Sequence, residues 1–137
     1  MNRLVKIETE KTVEEILEEI KKRAGDFDFV VREVFNMAEE FKNHDVEVDE
    51  DFVFYSIMLC NPQKAYKSIA NNKLRGTVLL PPKQVTVYKD NKTGKTVVAY
   101  VALGKDFIKE LFPDDNQLQE GLPKSCENIA KMVEGLS

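Results

Sequence analysis

Apolar side chains recur at two different periods along this chain, every second residue in some segments and every third or fourth residue in others. Side chains alternate between the two faces of a strand, whereas one face of a helix is reached about every 3.6 residues. Residues 3–9 alternate and are predicted to form a strand. The stripe between Thr12 and Gly25 predicts a helix, with Thr12 and Glu15 as a capping box and Gly25 as a left-handed terminator.

The remaining elements follow from the same two periods and from residues that favour helix starts and turns. Residues 52–60 are nearly all apolar, which favours a strand covered on both faces. Asn61 is the predicted N-cap of the next helix, and Pro62 suits its first position, where a missing N–H costs nothing. Asn36 is the predicted N-cap of an earlier short helix. The other predicted strands are 27–35, 84–89 and 95–103, and the other predicted helices are about 37–42, 105–111 and 123–134.

The predicted elements follow the order β-α-β-α-β-α-β-β-α-α. No repeat, low-complexity tract or linker interrupts the 137 residues, and this length suits one domain with its own core. We therefore predict a single α+β domain over residues 1–137, with a mixed β-sheet and helices packed on it. Segments 52–60 and 77–80 are more apolar than a small domain with one covered sheet face requires, which favours a homodimer.

The composition limits the class of protein. Hydrophobic residues make up 42% of the chain and charged residues 32%, as in folded globular proteins. No apolar run approaches the roughly 20 residues that a membrane helix needs, and the polar N-terminus has no signal-peptide pattern. We therefore expect a cytoplasmic protein without membrane contact, whose two cysteines, Cys60 and Cys126, are reduced thiols.

Charge is distributed unevenly along the chain. Residues 1–60 hold 8 Lys and Arg against 16 Asp and Glu, whereas residues 61–109 hold 10 against 2. The basic segment 61–109 either holds an anion near the start of the predicted third helix, or faces the acidic first part in the same subunit or a partner. The second interpretation is favoured, because the two charges are complementary. The net charge of −4 and the lack of a basic stacking surface argue against nucleic acid.

Cys60 lies between the apolar segment 52–60 and the predicted cap Asn61. A thiol near a helix N-terminus can be reactive, because the helix dipole stabilises the thiolate. A free cysteine at the end of an apolar strand is more often buried and inert. We favour the second interpretation and keep the first as the alternative.

No motif for catalysis or metal binding is present in the sequence. The only histidine, His44, lies in an acidic stretch with Asp45, Glu47 and Asp49, but their spacing matches neither zinc nor calcium sites. A solvated loop is the favoured interpretation of this stretch. Neither a phosphate-binding glycine loop nor a Ser-His-Asp set is found. We therefore predict no catalytic residue, no metal site and no cofactor.

Several short motifs follow one another along the chain. They are Cys60-Asn61-Pro62, Ala65, Tyr66, Leu79-Leu80-Pro81 and Val87-Tyr88. In this order and spacing they resemble the domain-of-unknown-function family 302, and the resemblance covers nearly the whole chain. It implies a compact α+β domain, often dimeric, with no established activity and no catalytic residue. Many members have a cysteine where this chain has Pro82, so a two-cysteine role through those positions is excluded.

The sequence therefore predicts a non-catalytic binding or interaction module, a homodimer, that accommodates a small or anionic ligand near residues 60–83. The alternative is a thiol-dependent redox or sulfur-handling accessory protein that uses Cys60. The candidate ligand-binding residues are Cys60, Asn61, Lys64, Lys67, Arg75, Pro81 and Lys83.

Overall fold

The computed structural model describes residues 1–80 and 83–136. Its five strands form one sheet in the order β1-β5-β4-β3-β2. The strands are β1 (Arg3–Thr9), β2 (Val30–Asn36), β3 (Phe54–Cys60), β4 (Gln84–Lys89) and β5 (Thr96–Ala102). The helices are α1 (Val13–Ala24), α2 (Met37–Lys42), α3 (Pro62–Asn71), α4 (Gly76–Leu79), α5 (Lys105–Leu111) and α6 (Asn116–Glu134), with 3₁₀ turns at Gly25–Phe27 and Lys73–Arg75. None of these helices is both long and apolar enough to cross a bilayer.

The predicted α+β class and the predicted order of elements are confirmed. The predicted mixed sheet is wrong, because all four described strand pairs are antiparallel. The reason is visible where Met58, near the end of β3, pairs with Gln84 at the start of β4. The helical connection between these strands begins and ends at the same end of the sheet, so β4 runs back along β3.

Helices α1 and α6 cover one face of the sheet and enclose the core. Ile16 of α1, Ile129 of α6 and Val87 of β4 are fully buried, as the helical and strand periods require. Each buried isoleucine contributes roughly 1.5 to 3 kcal/mol. On the opposite face, Phe54 and Met58 of β3 are only half-buried. The prediction that this strand is covered on both faces is therefore not met within one chain.

The predicted helix starts at three polar residues are confirmed. Thr12 and Glu15 form the capping box of α1, since each side chain accepts a hydrogen bond from the other's backbone N–H, at 3.1 and 3.2 Å. Asn36 caps α2 and Asn61 caps α3 through their side-chain oxygens. These caps satisfy backbone donors that a helix start otherwise leaves unpaired.

Helix α1 ends as predicted with Gly25 as its C-cap, but the left-handed conformation predicted for Gly25 is wrong. Gly25 is right-handed with φ −62°, and the left-handed residue is Asp28 with φ 65°. The chain continues through a 3₁₀ turn because Phe27 packs against the core, and the Arg23 guanidinium lies 5.9 Å from its ring centre. Consequently β2 begins at Val30 and not at residue 27.

Helix α6 begins at Asn116, well before the predicted start at residue 123. Asp115 caps it by accepting a hydrogen bond from the Leu118 N–H at 3.0 Å. Pro123 lies inside the helix and cannot donate to the preceding turn, which costs about 3 kcal/mol. Burial of Leu118 and Leu122 on the same helix offsets that cost.

Candidate functional site

A cavity of about 610 Å³ opens between α3 and α6. The connection from β3 to β4 begins and ends at the same end of the sheet. There the connection lies beside α6, and the cavity forms between them. Polar and charged side chains line much of it, and its aliphatic wall is formed by Ala65 of α3, Leu79 of α4, and Leu118 and Leu122 of α6. Gly121 of α6 also faces the cavity, and no described heavy atom lies within 4 Å of where its Cβ would be. This volume suits a small organic ligand.

Arg75 is the first of two buried cations in the cavity wall. Its guanidinium donates to both carboxylate oxygens of Asp115, at 2.7 and 2.9 Å, and to the Ser68 carbonyl at 3.2 Å. The hydrogen bond from Arg75 lowers the pKa of Asp115, and the bond to Asp115 raises the pKa of Arg75. The fold itself therefore neutralises Arg75, which ties α3 to the start of α6.

Lys83 is the second buried cation, only 3% exposed, and it lines the cavity just before β4. Within residues 1–80 and 83–136, no group pairs with its Nζ through a hydrogen bond or an ion pair. Burial lowers the pKa of Lys83, while the Cys60 and Cys126 thiols raise it and Lys64 lowers it. An ammonium group in this position carries a desolvation cost that a bound anion would offset.

Three exposed lysines surround the mouth of the cavity. Lys64 and Lys67 project from α3 and Lys124 from α6. No Asp or Glu is found among the described residues that line the cavity. Glu120 of α6 partly offsets the charge of Lys124, and the remaining positive charge of the rim attracts anions towards the opening.

The favoured interpretation is that the basic segment 61–109 faces the acidic first part of the chain. Within the subunit, the residues of this segment that line the cavity do not do so. Arg75 pairs with Asp115, which follows the basic segment and does not belong to the acidic first part. Lys64, Lys67 and Lys83 form no ion pair with any acid in the described part of the chain. Three basic residues of segment 61–109 therefore line one cavity without an acidic partner among the described residues.

Four of the seven candidate ligand-binding residues come together at the cavity, and two of the others do not. Those in its lining are Lys64, Lys67, Arg75 and Lys83. Cys60 is buried at the end of β3, and the Asn61 side chain accepts a hydrogen bond from the Lys64 N–H at 3.1 Å. Neither is part of the described lining, and Pro81 lies outside the described residues. The sequence did not predict the α6 wall, because its residues are distant in the chain.

The acidic stretch around His44 is an exposed turn and loop. Among the described residues, no group of three or more His, Cys, Asp and Glu side chains is arranged to hold a metal ion. The candidate site is therefore the cationic cavity rather than this loop.

Comparisons with known proteins extend the description. A family model described as domain of unknown function DUF302 matches residues 5–136. The chain is also similar to the crystal structure of an uncharacterized conserved protein DUF302 from Bacillus stearothermophilus, with a TM-score of 0.66 and 19% sequence identity. That similarity covers 96% of this chain and 92% of the other, and it shows a shared fold. No curated protein matches the chain.

Proposed function

This chain belongs to the family of domains of unknown function DUF302, as its motifs predict, and on that premise we propose that it is a non-catalytic module that binds a small anionic ligand between α3 and α6. The proposal depends on one observation above all. Lys83 is a buried cation with no anionic partner among the described residues. A carboxylate, sulfonate or phosphate beside its Nζ would gain a charge-assisted hydrogen bond where water is largely excluded.

The walls of the cavity indicate the remainder of the ligand. Leu79, Leu118 and Leu122 offer aliphatic surface, so an apolar body would be more favourable there than a fully hydrated ion. The rim lysines would raise the local concentration of anions without enclosing them. The preferred ligand thus combines one anionic group with a compact apolar body.

A matched pair of fluorescent dyes tests this proposal in solution. Anilinonaphthalene sulfonate carries a sulfonate, whereas N-phenyl-1-naphthylamine has the same aromatic body and no charge. We expect the sulfonate dye to bind the native protein at least roughly tenfold more tightly, because a charged hydrogen bond adds about 1.5 to 3 kcal/mol. In Lys83→Met this preference should disappear, while the neutral dye still binds.

Two further variants make the test specific for the cavity. Lys109 is exposed on α5 and is not part of the lining, so Lys109→Met should keep the preference for the sulfonate. Gly121→Leu adds volume inside the cavity without changing charge, and it should weaken binding of both dyes. Equal binding of the sulfonate dye to the native protein and to Lys83→Met would contradict the proposal.

The alternative function, a thiol-dependent accessory that uses Cys60, has less support. Cys60 is 4% exposed, Cys126 is fully buried, and both are free cysteines. A reactive thiol needs access to its partner. We expect Ellman's reagent to label native Cys60 slowly, and fast labelling at pH 6 would favour the alternative instead. Two free thiols also suit the reducing cytoplasm, which we propose as the location of the protein.

We also propose that the protein is a homodimer, with the sheet face opposite α1 and α6 in its interface. Leu4 and Val101 pair across β1 and β5 on that face, and they are 68% and 52% exposed. Neighbouring exposed apolar side chains favour burial by a second copy. The acidic segment 1–60 and the basic segment 61–109 would set the orientation of the two copies.

A further inference from the structure

We propose that Lys83 is also a nucleophile, whose amine condenses reversibly with the carbonyl group of an anionic aldehyde or keto acid bound in the cavity. This inference rests on the proposed function, because the same cavity must first take up the ligand. It adds a chemical class to that ligand and a covalent step to its capture. In a carbonyl compound the carbonyl carbon would lie at Lys83 Nζ and the anionic group would face the rim lysines Lys64 and Lys67.

The geometry of Lys83 is that of an amine available for reaction. Its side chain is 3% exposed, yet it lines a cavity of about 610 Å³ that opens to solvent between α3 and α6. No acceptor within the described ranges occupies its Nζ, so no group in that part of the chain blocks the nitrogen. Arg75 is not available in this way. Its guanidinium is hydrogen-bonded to Asp115, and a guanidinium does not lose its proton.

The surroundings of Lys83 favour the neutral amine, which is the nucleophilic form. Burial lowers its pKa, and the positive charge of Lys64 acts in the same direction. The thiols of Cys60 and Cys126 oppose this effect. The other charged groups facing the cavity are cations on α3, α6 and the turn before α4, namely Lys67, Lys124 and Arg75. Arg75 is paired with Asp115, so the positive charge that disfavours the ammonium form of Lys83 is that of Lys64.

The reaction is balanced without an external oxidant or metal. The nitrogen lone pair attacks the carbonyl carbon, a C–N bond forms, and the carbonyl oxygen takes up a proton to give a carbinolamine. The oxygen then leaves as one water molecule, and the nitrogen retains one hydrogen in a protonated imine. The proton taken up comes from solvent, so the neutral amine, the carbonyl group and one proton give a positively charged imine and one water molecule. Aliphatic walls at Leu79 and Leu122 limit the access of water for the reverse hydrolysis.

Three related compounds separate covalent capture from simple binding. 4-Formylbenzoate has the carboxylate and the aldehyde, 4-(hydroxymethyl)benzoate lacks the carbonyl group, and benzaldehyde lacks the anion. Each is incubated with the native protein and sodium cyanoborohydride, which reduces a protonated imine to a stable secondary amine. Mass spectrometry of the intact protein and of its peptides then counts and locates the adducts. Calorimetry without the reductant measures binding of the hydroxymethyl compound.

We expect one adduct with 4-formylbenzoate, located at Lys83, and far slower labelling with benzaldehyde. Adducts distributed over the rim lysines Lys64, Lys67 and Lys124, with none at Lys83, would overturn the inference. Binding of the hydroxymethyl compound without any adduct from the aldehyde would overturn the covalent step and leave the proposed function standing. Failure of both compounds to bind would overturn the two proposals together.

Two variants keep the test independent of folding defects. Lys83→Met should lose the adduct, and its unfolding transition shows whether the protein is still folded. Lys83→Arg keeps a positive charge but cannot condense with a carbonyl group. We expect Lys83→Arg to bind the hydroxymethyl compound and to form no adduct. Undiminished labelling of Lys83→Arg by 4-formylbenzoate would contradict the assignment of the nucleophile.

Discussion

Arg75 and Asp115 form a two-point ion pair that joins the turn after α3 to the first turn of α6, with N···O distances of 2.7 and 2.9 Å. Asp115 also caps α6 through the Leu118 N–H, so one carboxylate fixes both the helix start and the arginine. The two sides of the cavity are therefore held at a set separation. Lys83, in the same wall, has no comparable partner among the described residues, and the two buried cations consequently have different roles.

Removing the charge of Asp115 should destabilise the fold. The two side chains are 8% and 11% exposed, so Asp115→Asn leaves Arg75 without a counter-charge and should cost roughly 2 to 4 kcal/mol at pH 7. Denaturant unfolding measures this loss. The exposed neighbour Asp114 provides the control, since Asp114→Asn should change the free energy of unfolding little.

The effect of Asp115 should also depend on pH. Arg75 lowers the pKa of Asp115 in the folded state, so the carboxylate stabilises the fold above its unfolded pKa of about 4. This contribution is lost as the pH falls through the lower folded pKa. We expect the native protein and Asp115→Asn to converge in stability at acidic pH. A difference that stays constant down to pH 2 would contradict the ion-pair explanation.

Replacing Tyr100 by phenylalanine should not weaken the protein. Tyr100 is 2% exposed, and its hydroxyl has only the Cys126 thiol, a weak hydrogen-bond partner, close to it, with no oxygen or nitrogen partner among the described residues. Tyr100→Phe should therefore leave the free energy of unfolding unchanged or raise it by about 1 kcal/mol. Tyr55→Phe is the matched control, because the Tyr55 hydroxyl accepts a hydrogen bond from Asn36 and its loss should destabilise. A clear loss of stability in Tyr100→Phe would show that the hydroxyl makes a stabilising hydrogen bond and would contradict this prediction.

The cap of α3 should contribute measurably to stability. The Asn61 side chain accepts a hydrogen bond from the Lys64 N–H at 3.1 Å, so Asn61→Ala should lower the free energy of unfolding by about 1 kcal/mol. Asn61→Ser keeps an acceptor and should lose much less. If both variants melt like the native protein, the cap is not a source of stability.

Light scattering at micromolar concentration tests the dimer, in low and in high salt. We expect a dimer in both, because burial of apolar side chains survives salt whereas charge attraction is screened. Val101→Lys should give a monomer. Leu111 on α5 is 51% exposed, close to the 52% of Val101, so Leu111→Lys is a matched control that should stay dimeric. A native protein that is monomeric in both salts would contradict the proposal.

Features that depend on near neighbours could be predicted from the sequence. Asn61 and Lys64 are three residues apart, so the cap of α3 follows from local residue types. The Arg75–Asp115 pair joins residues 40 apart, and neither position carries a local signal for the other. Pro123 suits the first turn of a helix by its own chemistry. Helix α6 nevertheless begins before it, at Asn116, with Asp115 as its N-cap.

The cavity was predicted only in part for the same reason. Lys83 was a candidate because of its charge, which the sequence gives directly, whereas its burial follows from the return of the chain into β4. The aliphatic wall from Leu118 and Leu122 comes from α6, and no pattern near residues 60–83 indicates it. Strand direction was missed as well, because the pairing of Met58 with Gln84 is a tertiary property.

The position of a bound anion tests the central claim most directly. Crystals grown with 4-iodobenzoate, measured near the iodine absorption edge, locate the iodine by its anomalous signal and the carboxylate by difference density. We expect a carboxylate oxygen about 3 Å from Lys83 Nζ, the iodine among Leu79, Leu118 and Leu122, and loss of the site in Lys83→Met crystals. A carboxylate bound only by rim lysines, or equal occupancy in Lys83→Met, would contradict the account.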